Sequence, residues 1–221
     1  GDLNPPVDPE TELPAQFSER RLRASESAIA PSVRKLLLRS EARRAKGDTS
    51  GAVAALEEAT AADSTLKDAF RVLGMLYEEE HQYDKARGAY ERTLKNNPND
   101  FVALNNLAYA IAVRDHKPAD ALPLAEHAYT LARGAAMIAD TLGWIKHLLG
   151  DDAAALPLLE AAAKGSPANA DVQLHVAVVY AVAGRLQDAA KALQAAKAAD
   201  PAVEQREEYQ TVRKRIGGPT S

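Results

Sequence analysis

Apolar residues recur along the chain at helical spacing, in paired segments separated by short polar breaks. In one pair, Leu73 and Tyr77 lie four positions apart ahead of the polar residues 80–82. The next segment places Ala86 and Tyr90 at the same spacing before Asn-Asn-Pro-Asn interrupts it. Residues four positions apart share one face of an α-helix, so the pattern predicts two amphipathic helices joined as a hairpin.

The hairpin repeats along the chain. A small residue occupies a fixed place in each first helix, with steps of 34, 34, 35 and 34 residues: Ser40, Gly74, Ala108, Gly143 and Ala177. A matching line of small residues runs through the second helices: Ala52, Ala86, Ala121, Ala155 and Ala189. Two helices approach closely only where neither carries a bulky side chain, so these lines predict the contact inside each hairpin.

The turns of the hairpins carry two further expectations. Gly47, Gly150 and Gly184 mark the turn between the two helices of a hairpin, where a residue with positive φ is favoured. The 35-residue step contains one extra residue, which we expect in the turn at 114–117 because a turn tolerates an insertion better than a helix does.

Two prolines fall within second helices. Pro123 and Pro157 lie 34 residues apart, and a proline inside a helix costs about 3 kcal/mol. In the first turn the missing N–H costs nothing, because it has no helical partner there. We therefore expect these helices to begin near Ala119 and Ala153.

The repeat resembles the tetratricopeptide repeat, bacterial type. Leu73-Gly74-x-x-Tyr77 followed by Ala86, Tyr90 and Pro98 matches that family's pattern almost element for element. The resemblance implies an all-α, right-handed superhelical α–α solenoid of five tetratricopeptide hairpins plus a C-terminal capping helix. Its expected parts are five units, a cap helix and a tail: 33–66, 67–100, 101–135, 136–169, 170–203, 204–216 and 217–221.

The two ends differ from the repeats. Residues 1–32 are rich in proline and acidic side chains, which predicts an extended segment, either a tail or a peptide that docks on the repeat stack. Residues 15–29 could form a short helix. The chain begins Gly1-Asp2 without methionine, which favours a truncated or processed N-terminus. At the other end, a thin apolar stripe on the charged segment 204–216 predicts a solubilising cap.

Composition narrows the classes of function. The net charge of −4 and pI near 5.8 argue against nucleic-acid binding. The absence of cysteine excludes disulfides and thiolate metal sites, and no apolar run is long enough to span a membrane. We expect a soluble protein, cytoplasmic or periplasmic, and the alanine-rich, cysteine-free composition favours a bacterial source.

The resemblance implies that the concave face, formed by the first helix of each unit, binds a protein or peptide partner. Met, Tyr and Trp are enriched in interface cores, and Asn can both donate and accept hydrogen bonds along a peptide backbone. An alternative is that Tyr109 and Trp144 pack between hairpins. The groove residues expected from the repeat register are Arg71, Met75, Asn105, Asn106, Tyr109, Asp140, Thr141, Trp144, His147 and His175.

The sequence thus predicts a protein–protein interaction scaffold that binds a peptide or partner helix in this groove. The alternative is an assembly module that self-associates through its groove, its ends or residues 1–32. An enzyme or metal protein is disfavoured, because the chain lacks glycine-rich phosphate-binding motifs and its five histidines show no metal-ligand spacing. No cofactor is expected.

Overall fold

The computed structural model describes residues 29–217, and regular structure in this range is helical throughout. Most of residues 1–32, including the expected short helix at 15–29, lies outside the described residues. Eleven α-helices are present within 29–217: α1 Pro31–Arg44, α2 Thr49–Ala62, α3 Lys67–Glu79, α4 Tyr83–Asn96, α5 Phe101–Tyr109, α6 Pro118–Leu131, α7 Ala136–Leu148, α8 Asp152–Gly165, α9 Ala170–Val182, α10 Leu186–Ala199 and α11 Glu207–Gly217. The all-α class predicted from the repeat is confirmed.

Two compact units divide the described residues, 29–107 and 108–217, and the chain passes from one to the other inside α5. In the first unit α1 packs on α2, α2 on α3 and α3 on α4. In the second unit the helices α6 to α10 pack each on the next, and α11 packs on α9 and α10. A 3-10 turn, Pro201–Gln205, leads into α11.

Close packing inside the hairpins explains the lines of small residues. A Cβ atom added to Gly74 would lie 2.5 Å from Cε1 of Tyr90, and one added to Gly143 would lie 2.8 Å from Cγ of Leu159. Carbon atoms in contact normally stand 3.5–4.0 Å apart, so neither glycine leaves room for a side chain. In the first hairpin Ser40 Oγ instead donates a hydrogen bond of 2.9 Å across the helix pair.

All five hairpin turns contain a residue with positive φ. The three predicted glycines have φ of +75°, +82° and +76°. His81 and His116 occupy the equivalent places in the second and third hairpins, with φ of 58° and 56°. Histidine enters the left-handed region at a cost that glycine does not pay, because its Cβ crowds the backbone there. The backbone conformation of these two turns is therefore less favourable in free energy than that of the other three.

The extra residue of the third hairpin lies in a helix, and the expectation that the turn at 114–117 absorbs it is wrong. After α5 the chain makes a π-helical turn, Ala110–Arg114, in which Asp115 N donates to Ala110 O at 3.2 Å. A π-turn bonds five residues back and so accommodates one more residue without unwinding the helix. The insertion therefore widens the end of a first helix instead of lengthening a loop.

The two prolines also lie deeper than expected. Helices α6 and α8 begin at Pro118 and Asp152, each one residue before the predicted start, and Pro123 and Pro157 fall in the second turn. A proline there removes one backbone hydrogen bond that an ordinary residue would make. Packing of these helices on their neighbours must offset that loss.

The cap helix α11 starts at Glu207, later than the expected 204. Its apolar residues Tyr209 and Val212 are buried in the core of the second unit, and Ile216 packs against that core. The predicted apolar stripe is therefore the side that joins α11 to the last hairpin.

Candidate functional site

In the first unit, the expected groove residues contact other residues of the same unit. Arg71 is buried and its Nε lies 3.1 Å from Oδ2 of Asp100, which is also buried. A second nitrogen of Arg71 lies 3.2 Å from Asp68. Met75 is 2% exposed. Neither Arg71 nor Met75 presents a free side-chain surface.

The two asparagines of this unit form a short chain of hydrogen bonds. Asn106 Nδ2 donates to the hydroxyl oxygen of Tyr90 at 3.1 Å, and Asn105 Nδ2 donates to Asn106 Oδ1 at 3.3 Å. Asn105 is 1% exposed, and its Oδ1 has no hydrogen-bond donor among residues 29–217. Asn106 thus fixes the ring that faces Gly74, which makes its role structural.

A buried polar cluster occupies the second unit. His175 Nδ1 lies 3.0 Å from both carboxylate oxygens of Asp140, and the two residues are 1% and 0% exposed. Arg206, just before α11, forms an ion pair with Asp171 on α9. The cluster ties the first helices α7 and α9 to the segment that leads into the cap.

The charges of this cluster set its protonation. Burial acts to lower the pKa of His175, but the charge and hydrogen bond of Asp140, together with the charges of Asp171 and Glu208, outweigh it, so the pKa lies above its ordinary value. Burial raises the pKa of Asp171, against the hydrogen bond and charge of Arg206. Burial, followed by the charges of Asp171 and Asp140, raises the pKa of Tyr109 above its usual range. Both shifts favour the protonated forms of His175 and Tyr109.

Two buried polar groups of this cluster lack a hydrogen-bond partner among the described residues: the hydroxyl of Tyr109 and Nε2 of His175. Tyr109 is 4% exposed. Buried polar groups are almost always hydrogen-bonded, so each of these groups requires a partner such as a bound water or a polar group of a bound protein.

Aromatic stacking connects this cluster to the surface. The ring of Trp144 stacks on His175 with centroids 4.2 Å apart and an interplanar angle of 15°. On its other side it contacts the ring of His147 at 4.9 Å, and His147 Nδ1 lies 2.5 Å from Asp152. Thr141 is buried beside them. Asp140, Trp144, His147 and His175, which the sequence register grouped as groove residues, thus lie together in the structure.

Trp144 and His147 border a cleft of about 310 Å³ in the second unit, here named the α7–α9–α11 cleft. Its apolar floor includes Leu148 and Val182, which are 41% and 42% exposed although both are large hydrophobic residues. Charged residues of α11 form its rim. The full lining is Trp144, His147, Leu148, Val178, Ala181, Val182, Glu207, Glu208, Thr211, Val212 and Arg215.

The sequence did not identify the contribution of α11, which was interpreted only as a polar cap. The available signal was the spacing of Glu208, Val212 and Arg215, which lie at i, i+4 and i+7 and so share one helix face. Leu148 and Val182, 34 residues apart at the ends of first helices, were a second signal.

The first unit has a wider depression, bordered by the rings of Phe70 and Tyr77. Arg92 lies over the Phe70 ring at 5.6 Å and Lys85 over the Tyr77 ring at 5.2 Å. Cations therefore already lie over the two aromatic faces of this depression.

Between residues 29 and 217, no group of three or more His, Cys, Asp or Glu side chains is arranged to hold a metal ion. None of the helices in that range combines the length and apolarity needed to cross a membrane.

Comparison with known proteins identifies the repeat. Family models described as tetratricopeptide repeat match residues 68–100 and 148–216. A search of the curated proteins finds no match.

Solved structures share the fold at low identity. YrrB, described as a TPR protein with an unusual peptide-binding site, is 19% identical with a TM-score of 0.60, over 90% of this chain and 97% of YrrB. PilW, a type IV pilus biogenesis factor, is 20% identical with a TM-score of 0.62, over 84% and 100%. PilF of Pseudomonas aeruginosa is 16% identical with a TM-score of 0.65, over 84% and 82%. The shared fold is the α–α solenoid of helical hairpins.

Proposed function

We infer that this chain, which is a tetratricopeptide repeat protein, is a protein–protein interaction scaffold whose α7–α9–α11 cleft receives part of the partner. The wider hypothesis, that the first helices of all five hairpins form one binding groove for a peptide or helix, is kept as part of the proposal. That YrrB is described as having a peptide-binding site supports it by analogy.

The observation that carries the proposal is exposed apolar surface at the cleft. Leu148 and Val182 each leave about two fifths of their surface in water, beside the indole of Trp144. Burying apolar surface contributes about 25 cal/mol per Å², so a partner that covers these side chains gains binding free energy there. Apolar patches rimmed by polar residues are typical of protein-binding sites.

Trp144 gives a direct test, because it is the only tryptophan in the chain. A partner that enters the cleft should change the emission of Trp144. Val182→Lys should weaken binding at least tenfold, since it replaces the apolar floor by a charge, while a cation at the end of a helix is compatible with folding.

Leu131→Lys is the matched control. Leu131 and Val182 are both the last residue of a helix and both 42% exposed, but Leu131 does not line the cleft. Unchanged Trp144 emission on binding, or equal affinities of the two variants, would show that the partner binds elsewhere.

Self-association is the second candidate function. The exposed side chains of Leu148, Leu149 and Val182 would also be covered by a second copy of the chain. Sedimentation equilibrium separates the two: a mass that rises with concentration and returns to that of one chain in Val182→Lys supports self-association. A constant mass of one chain supports a scaffold for a different protein.

A further inference from the structure

Charges of opposite sign stand at the two ends of the α7–α9–α11 cleft. Glu207 and Glu208 open α11, and Arg215 lies in its last turn. At 1.5 Å per residue, Glu208 and Arg215 are about 10.5 Å apart along the helix axis. Thr211 and Val212 lie between them on the cleft wall. The rim is therefore acidic at one end, basic at the other and apolar between.

These rim charges differ from the other charges of the same segment. Arg206 is paired with Asp171, and Glu204 with Lys197 at 2.8 Å. Glu207, Glu208 and Arg215, by contrast, make no ion pair with any residue of the described chain, although the charge of Glu208 also acts on the buried His175. Charges that are left unpaired beside an exposed apolar floor are available to a partner.

The helix dipole alone explains part of this arrangement. Acidic residues favour the first turn of any helix and basic residues the last. The dipole does not require these residues to border a cleft, nor does it leave Leu148 and Val182 exposed between them. Opposite charges at the two ends of the cleft, together with its exposed apolar residues, are features of a docking surface.

We propose that the cleft binds an amphipathic helix of a partner protein whose binding face carries one large apolar residue between a basic and an acidic residue about seven positions apart. The inference rests on the proposed function and specifies the partner. Two helical turns separate the charges of α11, and a helix lying beside it repeats the same face at the same interval.

The size of the cleft supports a single anchor. At about 310 Å³ it lies at the lower end of the range of ligand pockets, so it accommodates one or two apolar side chains and not an extended hydrophobic segment. The partner's basic residue would then face Glu207 and Glu208, and its acidic residue would face Arg215. Rim pairs of this kind select among partners more than they add affinity.

The test is a display selection with the full chain as bait. The library consists of 16-residue helical peptides with one randomised face on an alanine-rich scaffold. The expected result is enrichment of an apolar residue between a basic and an acidic residue about seven positions apart. With Arg215→Glu as bait, the enriched peptides should carry basic residues at both ends of the randomised face.

Arg213→Glu is the matched control, because Arg213 is an exposed arginine near the same end of α11 that does not line the cleft. It should leave the selected charge pattern unchanged. For a purified peptide with the mixed charges, Arg215→Glu should weaken binding about fivefold and Arg213→Glu by less than twofold, consistent with surface ion pairs. Far-UV circular dichroism verifies that both variants are folded.

The possible outcomes separate this inference from the proposed function. Enriched peptides that lose binding to Val182→Lys but show no charge pattern would overturn the proposed charge pattern of the partner helix and would still support the scaffold function. Enriched peptides that bind Val182→Lys as well as wild type would overturn both. A selection that enriches no peptide above background would overturn the inference, since the library contains the proposed partner face.

Discussion

Gly74→Ala tests whether close contact between its two helices stabilises the hairpin. The change adds a Cβ that would lie 2.5 Å from Cε1 and 2.8 Å from Cδ1 of Tyr90. The ring cannot move aside freely, because Tyr90 is 0% exposed and its hydroxyl accepts a hydrogen bond from Asn106. Inserting a methyl group into such a packed contact costs about 1–3 kcal/mol.

Helix propensity acts in the opposite direction, and Gly88→Ala measures it separately. Gly88 lies inside α4 of the same unit, and a Cβ there would meet nothing within 4 Å. This control should gain about 0.5–1 kcal/mol of stability, since alanine favours the helix over glycine. The same gain is present in Gly74→Ala. The difference between the two variants, about 1–3 kcal/mol, therefore isolates the steric cost at Tyr90.

Urea unfolding followed by far-UV circular dichroism provides the measurement. Because repeat proteins can unfold in parts, the comparison is between midpoints at equal slope. We expect Gly88→Ala to unfold at higher urea than wild type and Gly74→Ala at clearly lower urea than Gly88→Ala. If the two variants unfold at the same urea concentration, the contact between Gly74 and Tyr90 does not restrict the size of the residue at position 74. The steric explanation of the small-residue lines is then wrong.

Three further predictions concern the turns and the buried cluster. His116→Gly should raise the free energy of unfolding by about 1 kcal/mol, because glycine adopts positive φ without the strain of a Cβ; equal or lower stability in urea would contradict this. His81→Gly should gain less, because it also removes the contact of 2.7 Å between His81 Nδ1 and the Tyr83 hydroxyl. The His175 imidazole should titrate above its ordinary pKa of 6.5 when followed by NMR. Since its folded pKa is raised, the stability it contributes is fully present below about pH 6.5 and is lost as pH rises through the folded value. In Asp140→Asn the titration should move downward, because the partner charge is removed and burial remains; an unmoved midpoint would exclude Asp140 as the cause.

The repeat was readable from the sequence because its signals are local and recur. Small residues at steps of 34 or 35 occur in all five hairpins, and glycine occupies three of the five turns. Each of these signals has a steric reason. The π-turn at Ala110–Arg114 was not readable, because counting residues between Ala108 and Ala121 does not tell a longer turn from a wider helix. Nor did the sequence show that histidine takes positive φ at two turns.

The arrangement of the expected groove residues followed from the sequence only in part. The register grouped Asp140, Trp144 and His175, which lie together in the structure, but it could not show that most of the expected groove residues would be buried by their own neighbours. Burial depends on how each first helix packs against the next, which periodicity does not determine. The contribution of α11 was missed for a related reason: a charged terminal helix has the same pattern whether its polar face meets water or borders a cleft.

The most direct test of partner binding at the α7–α9–α11 cleft is NMR with the peptide that the display selection yields. Amide and indole resonances of the ¹⁵N-labelled chain would be followed during titration. The expected result is that shifts concentrate at Trp144, Leu148, Val182 and Arg215, including the Trp144 indole N–H. Shifts centred on Phe70 and Tyr77, with the Trp144 indole unchanged, would contradict binding at this cleft.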